Sequence, residues 1–159
     1  APMWYVEGIA QFADEQIGYD KWDSHRDMLL RMATLENDLL TYDEMGVFAH
    51  NSTHSEMVYN QGFGLLRYIQ ERFGEGKAEE IIQQVGYFRF DPAIEKVVGI
   101  SSKQLYRDWK ASLRSRYTER MTHKIQTRLG QDKSWIKSLI KGLLDQQEKF
   151  QLMDGILFQ

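Results

Sequence analysis

Apolar residues recur three and four positions apart along almost the whole chain, with Gly, Asp, Ser and Asn punctuating the segments. That spacing is the period of amphipathic helices, and it predicts a mainly α fold. A first helix runs from about Met3 to Glu15 and stops near Gly18. A second opens at Asp23 or Ser24, where Asp27, three residues beyond Ser24, gives a box-like cap. The stretch from Thr41 to Thr53 is the least periodic and reads as a loop. A third helix covers roughly Ser55 to Phe73, with Gly74 as the left-handed residue that ends it, and Ala78 to Val85 makes a short one closed by Gly86. Asp91 and Pro92 supply the cap and first position of another, which ends at Gly99. Ser101 with Gln104 opens a long helix that reaches Leu129, with Gly130 as its stop. Beyond it, Trp135, Ile136, Leu139, Ile140, Leu143 and Leu144 form a last amphipathic stripe. The pattern divides the chain into a helical part, 1–130, and an amphipathic helix and tail, 131–159, that leads toward a following domain.

With 159 residues and 42% hydrophobic content, the chain can bury one compact core. A net charge of -3 leaves no overall footprint for nucleic acid. Acidic side chains outnumber basic ones about two to one in residues 1–100, and the ratio reverses in 101–159. Arg107, Lys110, Arg114, Arg116, Arg120, Lys124 and Arg128 recur along the long helix with few acids between them. Because Trp109, Leu113, Tyr117 and Met121 run at four-residue spacing on the apolar side, the cations fill the remaining faces as a solvated or domain-docking surface. No apolar run is long enough to span a bilayer, so no transmembrane segment is expected. Cysteine is absent, which removes disulfides, thiol nucleophiles and thiolate ligands; any metal must be held by His, Asp or Glu. Residue 1 is Ala and the chain opens on a hydrophobic helix pattern, which suggests that further sequence precedes it.

Two segments carry candidate chemistry. In Trp4-Tyr5-Val6-Glu7-Gly8-Ile9-Ala10-Gln11, the residues Tyr5, Ile9 and Phe12 share an apolar helix face, and Glu7 stands at its edge. Gly8 is costly in mid-helix by roughly 1 kcal/mol relative to Ala, and close approach of another backbone would supply the reason for it. The second segment is Val58-Tyr59-Asn60-Gln61-Gly62-Phe63-Gly64-Leu65-Leu66-Arg67-Tyr68-Ile69. Tyr59, Gly62, Phe63 and Leu66 lie on one helical face, and Gly62 leaves a slot beside the phenol.

The first segment resembles the W-x-x-E-G-x-A helix of the gluzincin metallopeptidases through Trp4, Glu7, Gly8 and Ala10. The second is similar to the Y-x-K-G-x-x-x-L segment of their aminopeptidase and leukotriene-hydrolase branch, with Gln61 in place of the Lys. Phe90 to Tyr117 looks like the closing helices of peptidase-MA-like domains in bacterial envelope proteins. The resemblance implies the helical lobe of a gluzincin-type catalytic domain and a bacterial periplasm or envelope location. It implies Glu7 as third zinc ligand and Tyr59 as the group that stabilises the oxyanion of a peptide substrate. The HExxH motif is absent from the chain. The two His ligands of zinc would therefore come from outside it, and the isolated fragment would be inactive. A neighbouring domain of the same protein is a further expected partner.

Other readings stand beside this one. The framework could serve as a noncatalytic helical protein-interaction module, or the basic third could bind anions. His50 and His54 are four apart with Glu56 beyond, but Asn51 occupies the place of a catalytic Glu, and the stretch reads as a surface loop. His25 and His123 read as isolated surface side chains.

Overall fold

The computed structural model describes residues 1–19, 22, 24–49, 51–87, 89–129 and 141–142. Among them are six α-helices and no strand: α1 (Met3–Gln16), α2 (Ser24–Leu35), α3 (Ser52–Phe73), α4 (Lys77–Val85), α5 (Phe90–Val98) and α6 (Ser102–Leu129), with a 3-10 turn at Glu44–Gly46. The mainly α expectation holds. No described helix is long and apolar enough to cross a membrane. The stripe from Trp135 to Leu144 and the stop at Gly130 fall outside the described residues, apart from Lys141 and Gly142. The chain divides after Tyr117 into two compact units.

In the first unit α3 is the central helix. It packs against α1, α2, α4 and the 3-10 turn, and α4 pairs with α5. Its buried side carries Val58, Phe63, Leu65, Leu66 and Ile69, and Trp109, Leu113 and Tyr117 of α6 are buried in the same core. Trp109 sits against Gly64 of α3, where a Cβ would meet its ring at 3.3 Å. In the second unit the side chains from Thr118 to Arg128 are exposed, Met121 among them at 44%. The four-residue apolar spacing thus marks a core only as far as Tyr117.

Helix ends follow local chemistry with two exceptions. Asn51 caps α3 by accepting from the His54 N–H at 2.6 Å, so the helix begins three residues before Ser55. Ser101 Oγ accepts from the Gln104 N–H, as its spacing predicts. The first exception is α5, which starts at Phe90 with Arg89 as cap; Asp91 lies inside the first turn, where its carboxylate accepts from the Tyr42 hydroxyl at 2.7 Å. Pro92 remains harmless there because first-turn N–H groups have no intrahelical partner. The second is Gly74, whose φ of 114° and ψ of 157° are positive-φ but extended, not left-handed helical.

The tightest contact in the fold is the crossing of α1 and α3. A Cβ built on Gly8 would lie 2.8 Å from the Gly62 carbonyl carbon and from Leu66 Cδ1. One built on Gly62 would fall inside the Trp4 carbonyl oxygen and 3.0 Å from its carbon. The approach that the cost of Gly8 calls for is therefore made by the backbone of Gly62. The slot at Gly62 is filled by the Trp4 carbonyl, so it does not stand open beside the phenol of Tyr59.

Two outcomes follow from this packing. Gly→Ala normally favours a helix by about 1 kcal/mol, yet Gly62→Ala should destabilise by about 3 kcal/mol in urea unfolding, because the clash is with backbone. Gly64→Ala, which meets only side chains, should stay within about 1 kcal/mol of the wild type. The second outcome concerns alkali. Burial raises the phenols of Tyr5 and Tyr42 far above the ordinary 10.0 and pushes Tyr106 up to about 12. The unfolded chain ionises first, so stability should be level below pH 10.0 and fall as pH rises toward 12. Tyr106→Phe should make that fall shallower in denaturant midpoints measured across the same window.

Candidate functional site

Glu7 precedes Gly8 on α1, and Tyr59 stands less than one turn before Gly62 on α3. The glycine crossing therefore fixes the separation of these two side chains. The Tyr59 phenol lies close enough to the Glu7 carboxylate to feel its charge. Burial first, and then the neighbouring Glu7 carboxylate, hold the phenol above its ordinary range, because both favour the neutral form. Both side chains are half-buried, so the pair is open to solvent on one side.

The aromatic surroundings divide into two groups. Trp4, wholly buried, meets Tyr5 and Phe90 edge-on at 5.6 and 5.7 Å, which secures the first turn of α1 against α5. Tyr5 donates its hydroxyl to the Ala78 carbonyl. The phenol of Tyr59 instead carries the ring of Phe48, stacked at 5.5 Å with 29° between planes. Phe48 lies in the aperiodic loop before α3 and has no periodicity that would mark it in the sequence. The loop is tied at Ala49, whose N–H donates to His54 Nδ1 at 3.4 Å.

Polar atoms are buried on α3 beside the pair. Gln61 is wholly buried, and neither atom of its amide finds a partner among the described residues; Asn60 Nδ2 is in the same position. Each such atom costs on the order of 1–3 kcal/mol. The Gln that stands in the place of the family Lys is thus an interior side chain here.

The metal alternatives are placed as follows. His50 lies outside the described residues. His54 is in the first turn of α3 with Nδ1 facing Ala49, and Glu56 pairs with His25 at 3.5 Å. Among the described residues no three His, Asp or Glu side chains are grouped closely enough to hold a metal ion, so Glu7 could act only as one ligand of a set completed by other side chains. An open cleft of about 590 Å³ lies farther along α1 and α3, between Phe12, Glu15, Arg67 and Glu79, and its lining includes neither Glu7 nor Tyr59. On α6, Arg116 pairs with Glu71 at 3.1 Å and the Lys110 ammonium lies 5.7 Å from the Tyr106 ring centroid.

The Glu7–Tyr59 contact has a direct check. In protein labelled at tyrosine Cζ, Tyr59 should titrate above 10.0, and Glu7→Gln should lower its value, since an amide lacks the charge. A value unchanged by Glu7→Gln would disconnect the two groups. Comparison of the chain with family models, with curated proteins and with solved structures returned no match.

Proposed function

We propose that the chain is the helical lobe of a gluzincin-type zinc metallopeptidase that hydrolyses peptide bonds, with Glu7 as a metal ligand and Tyr59 as the oxyanion donor. The observation that carries this reading is the meeting of the Glu7 carboxylate and the Tyr59 hydroxyl at the glycine crossing. The residue types fit the group. A carboxylate oxygen is a normal zinc ligand, and a Glu7 carboxylate would keep further lone pairs even while accepting from the neighbouring phenol.

Zinc bound with two His from outside the chain would polarise the scissile carbonyl and acidify a water. The chain's own residues would do the rest of what is assigned to them here. Glu7 holds its carboxylate at a fixed point because α1 cannot slide on α3. Tyr59 has one phenol proton, which serves one acceptor at a time. With Glu7 engaged as a ligand, the phenol would be free to hydrogen-bond a developing oxyanion while keeping its proton. A raised phenol pKa keeps the proton in place at neutral pH, and a donor so placed contributes on the order of 3 kcal/mol to lowering the barrier.

The test uses the chain together with any native sequence that precedes Ala1. One zinc per chain and hydrolysis of a casein substrate are expected. Glu7→Gln should lose the zinc, while Tyr59→Phe should keep it and lose roughly 100-fold or more in kcat. A preceding segment without two His, or zinc retained in full by Glu7→Gln, would replace this reading with the noncatalytic interaction module.

A further inference from the structure

Phe48 is 39% exposed although one face of its ring lies on Tyr59. The neighbouring Val47 is 61% exposed, in extended backbone at φ -139° and ψ 157°. Successive side chains on extended backbone point to opposite sides, so of the two it is Phe48, stacked on the half-buried Tyr59 phenol, that exposes apolar surface beside the site. Exposed apolar side chains are common singly. Here one adjoins a site, and its loop is held rather than loose: Asn51 caps α3 through the His54 N–H, and His54 in turn accepts from Ala49. Stacking fixes the ring of Phe48 further, at an aromatic separation that is itself favourable. A rigid aromatic platform of this kind loses little conformational entropy when it receives a ligand group.

We propose that Phe48 is the specificity-determining residue of the Glu7–Tyr59 site, its exposed ring receiving an apolar side chain of the peptide whose carbonyl meets the Tyr59 hydroxyl. This rests on the peptidase reading for the identity of the ligand, and it narrows the substrate class to peptides with an aliphatic or aromatic residue beside the scissile bond. A charged or absent side chain at that position would leave the platform wet. The carbonyl would still reach Tyr59, so the difference lies in affinity and not in orientation of the reacting group.

The test reads binding without metal or turnover, so its result is independent of whether zinc chemistry is confirmed. The full chain, labelled in its Phe and Tyr rings, is titrated with N-acetylleucinamide and with N-acetylglycinamide, following the Phe48 and Tyr59 signals. The leucine amide is expected to bind about ten-fold more tightly than the glycine amide. Phe48→Ala should abolish the preference, and Phe48→Tyr, which keeps the ring, should retain it. Circular dichroism verifies that each variant is folded; this loop position is outside the buried core, so both should be. Equal affinity for the two amides, no change in either signal, or a preference that survives Phe48→Ala would overturn the proposal. None of these would touch the dependence of zinc on Glu7, which the experiment on the extended chain measures separately.

Discussion

The backbone contact between Gly8 and Gly62 is the constraint on which the rest of the molecule depends. Two helices can approach this closely only where neither carries a Cβ, and the Trp4 carbonyl occupies the space that any side chain at position 62 would need. Once α1 is seated there, its register on α3 is set. Trp4 and Tyr5 are then placed to meet Phe90 of α5, and the Tyr5 hydroxyl to meet Ala78 of α4. The same seating brings a carboxylate one residue from the crossing up to a phenol less than a turn from it. Packing and candidate chemistry are consequences of one close approach.

Tyrosine hydroxyls tie this fold together, and the way each is used separates structural from candidate functional roles. Tyr5 and Tyr106 donate to backbone carbonyls of Ala78 and Leu40, joining distant segments. Tyr42 donates to Asp91 and Tyr117 to Asp27 at 3.0 Å. Tyr59 instead lies near the Glu7 carboxylate, beside an exposed aromatic ring and on a half-buried surface, where a ligand can reach its hydroxyl. The buried amides of Asn60 and Gln61 make the same stretch of α3 the most polar part of the interior. Buried polar groups without a partner lower stability.

Much of the helical layout was legible because it follows from local rules. The 3.6-residue period, the Ser101–Gln104 cap and the stop of α1 near Gly18 all depend on neighbours in sequence. The cost of Gly8 points to a close approach, but a one-dimensional pattern cannot name the partner, so the slot that the spacing predicts at Gly62 is in fact filled by the Trp4 carbonyl. The Asp91-Pro92 pattern predicts a cap, but a helix start has no way of announcing a competitor, and Tyr42, 49 positions away, claims the carboxylate. Met121 keeps the apolar spacing of α6 and yet is exposed, since periodicity shows a face and not what covers it. Phe48, and Trp22 stacked at 5.0 Å on Phe63, sit in loops with no period at all. Glu7 and Tyr59 became visible through resemblance to a family motif, and the structure brings the two together.

The account's central claim is an energetic link between one acid and one phenol on different helices. A double-mutant cycle with Glu7→Gln, Tyr59→Phe and the pair, read as unfolding free energies in urea at neutral pH, measures that link with the flanking packing cancelled. A coupling of about 1 kcal/mol in favour of the wild-type pair is expected for a hydrogen bond to a carboxylate at a half-exposed position. Strictly additive effects would mean that the two side chains do not meet in solution, and the shared site would not exist.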